Sequence, residues 1–365
     1  MGGEAAFALC SRSMLASETE IGELIDALRG SPWIALDTEA DSLHAYPEKL
    51  CLIQISHAGG DVLVDPLMSS SLAPLLEHLA GRSLILHGAD FDLRLLRRSR
   101  GFVAHEVFDT AIAAQLLGRP RHGLRDLVSE LLGVQLHKGA QRADWSRRPL
   151  SAQMLEYAQN DTRYLSPLRD QLEAQLRERD RLDWHREACA RLVKACTRAG
   201  TPDPARVWRI KGSTHLGPRA LAVLRELWGW REGQALRLDR PPYFVLSHEL
   251  LLAIAERAGR GEGIGELPPM IRARQRGELE EAVARAWAVP EAELPERERP
   301  ERPPRPGADL VRRSEALRQR RDQRAAELEI EPTLIASKAE IAALAEDWDQ
   351  GLAALMPWQV ALLVA

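Results

Sequence analysis

Three separate stretches carry acids at spacings that can do chemistry. In Ile34-Ala35-Leu36-Asp37-Thr38-Glu39 an apolar run ends in two carboxylates. Side chains alternate faces along a strand, so in a strand Asp37 and Glu39 point to the same side. Two ionised carboxylates held ~4 Å apart repel by roughly 4 kcal/mol at an effective dielectric of about 20, and a proton or a cation usually meets that cost. Paired oxygen donors of this kind suit a divalent metal. In Leu84-Ile85-Leu86-His87-Gly88-Ala89-Asp90-Phe91-Asp92-Leu93 a strand pattern leads through small residues to a helix start, where Asp90 or Asp92 can equally serve as a helix cap. In Tyr157-Ala158-Gln159-Asn160-Asp161 the tyrosine and the aspartate stand one helical turn apart and share a face.

The elements that must position these residues are legible from periodicity. Ile21, Leu24, Ile25 and Leu28 recur at helical spacing and stop at Gly30-Ser31-Pro32. Ile34 to Leu36, Leu50 to Ile55 and Asp61 to Asp65 read as three strands in quick succession, an antiparallel meander. A helical patch over Leu72 to Leu79 precedes a fourth strand at Ser83 to Leu86, a helix from Asp90 to Arg98, and a short fifth strand at Glu106 to Asp109. Helices follow over Thr110 to Leu117 and Leu124 to Leu132, the second stopped by Gly133. From Leu150 onward strand signals nearly vanish, and a long helical pattern runs to about Leu192.

Composition bounds the class. The chain has 365 residues, 45% hydrophobic and 28% charged, enough for two or three domains. No apolar run approaches the roughly 18 residues a membrane span needs, and the start lacks the pattern of a secretory signal. The four cysteines show no Cys-x-x-Cys spacing, so a reducing cytoplasm is expected rather than a zinc knuckle or a disulfide framework. A net charge of −4 neither favours nor excludes nucleic acid, because a local basic surface can bind phosphates on an acidic protein.

Taken together, Asp37, Glu39, Asp92, Tyr157 and Asp161 resemble the motifs of the DEDD superfamily of 3′-to-5′ exonucleases, in its tyrosine branch, and most closely the ribonuclease D family. Asp37-Thr38-Glu39 looks like the first motif, Phe91-Asp92 like the second, and Tyr157 to Asp161 like the third. Glu156 stands where the sister branch carries histidine. Leu50 to Ser56 is similar to the family's second strand, and His137 to Leu150 to the segment before the third motif. The resemblance covers roughly residues 18 to 185 and implies an RNase H-like α/β fold, a mixed five-stranded sheet flanked by helices. Asp239 to Leu251 looks like part of an HRDC domain, and the tail around Glu331 to Lys338 and Pro357-Trp358-Gln359 like a second, shorter one. The expected organisation is an extension over 1–17, an exonuclease domain over 18–204, an all-α HRDC domain over 205–292, a Pro/Arg-rich linker over 293–308 and an HRDC-like module over 309–365.

The resemblance implies two Mg²⁺ or Mn²⁺ ions held by Asp37, Glu39, Asp92 and Asp161, with Tyr157 orienting the attacking water and 5′-mononucleotides as products. An all-oxygen donor set fits those ions better than zinc. Lys138, Arg142, Arg147 and Arg148 are candidates for RNA backbone phosphates. His44, Gln54 and His87 lie near the motif residues, and nothing requires His87 to catalyse. The expected substrate is an RNA with a free 3′ end, such as a tRNA precursor. The chain is expected to act as a monomer without a membrane or protein partner. A DNA exonuclease of the same superfamily and a non-catalytic RNA-binding scaffold are the alternatives.

Overall fold

A computed structural model describes residues 14–137, 139–198, 203–298 and 307–364. Lys138, Cys10, most of the 1–17 extension and the centre of the 293–308 linker lie outside the described residues. These residues form two compact units, one of 14–40, 50–198 and 307–364, the other of 41–49 and 203–298.

In the first unit, helix α1 (Glu18–Arg29) opens with a capping box in which Ser17 and Glu20 satisfy each other's backbone N–H. Then come β1 (Ile34–Ala40), β2 (Leu50–His57), β3 (Gly60–Val64), α2 (Ala73–Ala80), β4 (Ser83–Leu86), α3 (Asp90–Arg100), β5 (Glu106–Asp109), α4 (Thr110–Leu116) and α5 (Leu124–Leu132). The strands form one sheet in the order β3-β2-β1-β4-β5. The first three run antiparallel, while β4 lies parallel to β1 and to β5, so the sheet is mixed as expected.

The long helical pattern resolves into three helices, α6 (Ala152–Arg163), α7 (Leu165–Glu178) and α8 (Leu182–Thr197). Tyr164 is the break between the first two, and Asp180, in the left-handed region at φ 54°, lies in the turn before the third. Alternation along the central strands sorts the two faces of the sheet. Ile34, Leu36, Ile53 and Ile55 join the buried cluster built with α1, α2 and α3, while Leu52 packs with Ala158 of α6 and Ala35 with Leu165 of α7.

The second unit contains α9 (Pro218–Leu238), α10 (Pro242–Val245), α11 (His248–Gly259) and α12 (Ala273–Ala288) around a core of Leu224, Leu227, Leu251, Ile254 and Leu279. Gly259 lets α11 approach α9, since a Cβ there would stand 2.7 Å from the Cα of Ala220. The tail forms α13 (Ala308–Leu328), α14 (Pro332–Ile335), α15 (Lys338–Glu346), α16 (Trp348–Ala353) and α17 (Pro357–Val364). These helices share an apolar cluster with α4, α5 and α7, joining Leu127, Leu168 and Leu172 to Ile335, Leu344 and Trp358. Trp184 stacks on Trp358 at 4.8 Å, and the buried Arg181 donates to the carbonyls of Leu116 and Leu328. The tail is thus part of the same compact unit as the sheet. No helix among the described residues is long and apolar enough to cross a membrane.

Candidate active site

Asp37 and Glu39 leave β1 on the face covered by α6, and α6 brings Asp161 to them. One oxygen from each of the three falls in a group whose members all lie within 4.8 Å of one another. Two contacts fix α6 in place: the hydroxyls of Thr162 and Ser56 meet at 2.7 Å, and Arg163 Nε donates to Asp61 at 2.6 Å.

Asp92 comes from the other side of the strand. Thr38 alternates to the opposite face from Asp37 and Glu39, and its N–H and hydroxyl both donate to Asp92 Oδ1, at 3.0 and 2.6 Å. Asp92 is not one of the tight group of three, yet its charge raises the pKa of Asp37, Glu39 and Asp161. The helix start that carries it is held by Asp109, which accepts from the N–H groups of Gly88, Ala89 and Ala111 at 2.8 to 2.9 Å. Thr38 and Asp109 were not among the residues singled out from the sequence. The signal for Thr38 was there in the alternation of β1, whereas Asp109 reads only as a strand end. His87 makes a hydrogen bond with Thr110 at 2.8 Å and has a structural task.

Burial and mutual repulsion leave these acids reluctant to ionise together. Burial first, then the charges of Asp92, Asp161 and Glu39, push Asp37 well above the usual carboxylate range. Burial, with Asp161 and Asp92 adding, carries Glu39 to about 9. Asp161 is pushed up to about 7 by burial against the opposing hydrogen bond from Tyr157, and Asp92 to about 6 by burial against the hydrogen bonds of Thr38. Among the described residues no lysine or arginine pairs with Asp37, Glu39 or Asp161. An all-oxygen cluster without a counter-ion fits a hard divalent cation.

Burial, followed by the charges of Asp161, Glu39 and Asp37, pushes the pKa of Tyr157 up. Its hydroxyl therefore keeps its proton at neutral pH and acts as a donor. The ring is wedged in place: a Cβ on Gly139 would stand 2.1 Å from Tyr157 Cδ2, and the ring of Trp145 lies tilted at 6.1 Å.

The basic candidates do not behave alike. Arg148 spends all its donors inside the protein, giving Nε and Nη2 to the buried Asp65 at 2.6 and 2.8 Å and the rest to the carbonyls of Cys51, Trp145 and Arg147. The expectation that it meets phosphate is corrected: it braces the segment before α6. Arg142 and Arg147 are exposed, the second alongside Asp144 at 3.0 Å.

The family model for a 3′-5′ exonuclease matches residues 13–177, and that for an HRDC domain matches residues 220–262. The ribonuclease D of Acidiphilium cryptum is 31% identical over 354 residues, covering 94% of this chain and 88% of that protein. The chain belongs to the ribonuclease D family. Like that family it is a metal-dependent 3′-to-5′ exoribonuclease carrying an HRDC domain. The crystal structure of Escherichia coli RNase D, described as an exoribonuclease involved in structured RNA processing, superposes with a TM-score of 0.74 at 27% identity, covering 96% of each chain. A protein from Bifidobacterium adolescentis shares the fold, with a TM-score of 0.81 at 22% identity over 96% of this chain and 94% of that one.

Proposed function

We propose that this ribonuclease D family member trims the 3′ ends of structured RNAs such as tRNA precursors, releasing 5′-mononucleotides at a site that takes two Mg²⁺ or Mn²⁺ ions. The observation that carries the reading is the convergence of Asp37, Glu39 and Asp161 within 4.8 Å, with Asp92 and Tyr157 beside them. Asp37, Glu39, Asp92 and Asp161 would hold the ions, with Glu39 and Asp161 serving the attacking water, Asp92 the leaving oxygen and Asp37 both. When bound, such ions supply a more acidic water and charge neutralisation at the phosphodiester.

The protein's own groups do the rest. Thr38 holds Oδ1 of Asp92 and so fixes that carboxylate beside the strand that carries Asp37 and Glu39. The Tyr157 hydroxyl, being protonated, orients the water through its lone pairs and its O–H rather than by taking a proton. Arg142 and Arg147 are the phosphate contacts, reached from the segment before α6. Cys51, Cys189 and Cys196 are buried thiols, which suits a reducing cytoplasm, and the chain is taken to act as a monomer.

A 3′-extended tRNA precursor, digested in parallel with matched single-stranded RNA and DNA, tests the reading. Wild type with Mg²⁺ or Mn²⁺ should shorten the RNAs from the 3′ end, and Asp37→Ala or added EDTA should stop it. Equal or faster loss of DNA would make the chain a general or DNA exonuclease, because the 2′-hydroxyl is the local difference a site can read. Binding without cleavage would make it a scaffold.

A further inference from the structure

Strand β2 places Gln54 directly opposite Asp37. Opposed residues of an antiparallel pair project to one face of the sheet, with Cβ atoms about 4.5–5.5 Å apart. That face is the one α6 covers, since Ser56, two residues further along β2, meets Thr162 on the helix beside Asp161. Gln54 is 0% exposed, and among the described residues neither its carboxamide nitrogen nor its oxygen has a hydrogen-bond partner. Burying such a group unpaired costs about 1–3 kcal/mol. On that face its neighbours are the buried Leu52, two residues back along β2, and the buried Leu63, opposite it on β3, so a leucine or methionine can fill the slot beside them.

We infer that Gln54 is a positioning residue for Asp37: its carboxamide N–H holds the Asp37 carboxylate, directly or through one water, when that carboxylate ligates metal. The inference rests on the proposal that Asp37 is a ligand. A donor placed behind a ligating carboxylate fixes its orientation and engages the oxygen electrons the ion does not use, and loss of such an outer partner typically lowers metal affinity about 10–100-fold. Without the ion, the amide is an unpaired polar group between Leu52, Leu63 and the Asp37 position. It stands at the β2 position paired with Asp37.

The test is Mn²⁺ binding to Gln54→Met and Gln54→Leu, followed by electron paramagnetic resonance of the free ion, with thermal unfolding of the metal-free proteins alongside. Both substitutions remove the amide and keep an apolar filling. The expected result is Mn²⁺ affinity lowered about tenfold or more with the metal-free midpoint unchanged or raised. Wild-type affinity in both variants would overturn the inference and leave the site assignment standing. A lowered metal-free midpoint in both would assign Gln54 to packing and overturn it as well. A wild-type protein that takes up no Mn²⁺ would overturn the site assignment itself, and this inference with it.

Discussion

The first unit buries carboxylates in two ways. Asp65 and Asp109 are each surrounded by donors: Asp65 by the guanidinium of Arg148 and the N–H of Leu67, Asp109 by the N–H groups of Gly88, Ala89 and Ala111. Asp37, Glu39 and Asp161 are instead surrounded by one another. The first arrangement spends its acids on holding turns and loops in place. The second stores repulsion that only a proton or a cation relieves, and so keeps its oxygens available. Opposite consequences for substitution follow from that difference.

The largest effect belongs to the cluster. Asp161→Ala should lower the cleavage rate by about 10³-fold or more, while the metal-free protein becomes no less stable, because one of three mutually repelling acids is gone. Turnover of RNA and the thermal midpoint without metal, measured on one preparation, check both halves. Undiminished cleavage would end the distinction between the two kinds of acid. Asp65→Ala should do the reverse. It strands the Arg148 guanidinium with Asp65 removed, and breaking a buried pair on one side costs about 3–5 kcal/mol of stability. Urea unfolding of this variant reads that loss directly, and a variant as stable as wild type would show that Arg148 finds other partners.

Local pattern exposed one kind of acid far better than the other. Alternation along β1 puts Asp37 and Glu39 on one face, and a helical turn does the same for Tyr157 and Asp161, so the cluster is readable from spacing and family resemblance alone. The five strands are readable too, because each is a short apolar run between turn residues. Arg148 was misread because its partner Asp65 lies 83 positions away, a pairing that only the folded chain creates. The grip of Thr38 on Asp92 spans 54 positions and depends on the parallel placement of β4 beside β1, which no local pattern encodes. Pro167, in the first turn of α7, is the sequence mark of the break at Tyr164, whereas the break at Asp180 carries neither proline nor glycine, so α7 and α8 merge into one helical signal.

Smaller effects sharpen the contrast. Tyr157→Phe should cost roughly 10²-fold in kcat, with little change in metal affinity, if the hydroxyl orients the water; wild-type rates across the pH range would remove that role. The metal-free protein should also lose stability with rising pH. The folded-state pKa of Glu39 stands at about 9 against an ordinary 4.5, and that of Asp161 at about 7 against 3.8, so the folded form binds more protons than the unfolded one throughout that interval. Stability is therefore fully present below about pH 4 and lost progressively as pH rises through 7 and 9. Saturating Mg²⁺ should flatten the profile, and so in part should Glu39→Gln, whereas Asp65→Ala should lower the curve without flattening it between pH 7 and 9. Thermal midpoints over this range check the sign, and a midpoint that climbs with pH in the absence of metal would contradict it.

The least disruptive change is Gly139→Ala. It adds one methyl group, and that methyl meets the Tyr157 ring at 2.1 Å, so either the ring or the segment before α6 must move. Gly139 is itself exposed and has no part in the core, so the unfolding midpoint should shift by no more than about 0.5 kcal/mol, as for surface substitutions generally. The expected cost is in kcat, some tenfold and smaller than that of Tyr157→Phe, because the hydroxyl is displaced rather than lost. In the double variant the two effects should not add, since with the hydroxyl absent there is nothing left for the methyl to displace. Additive losses would mean that Gly139 acts on the RNA path rather than on the tyrosine.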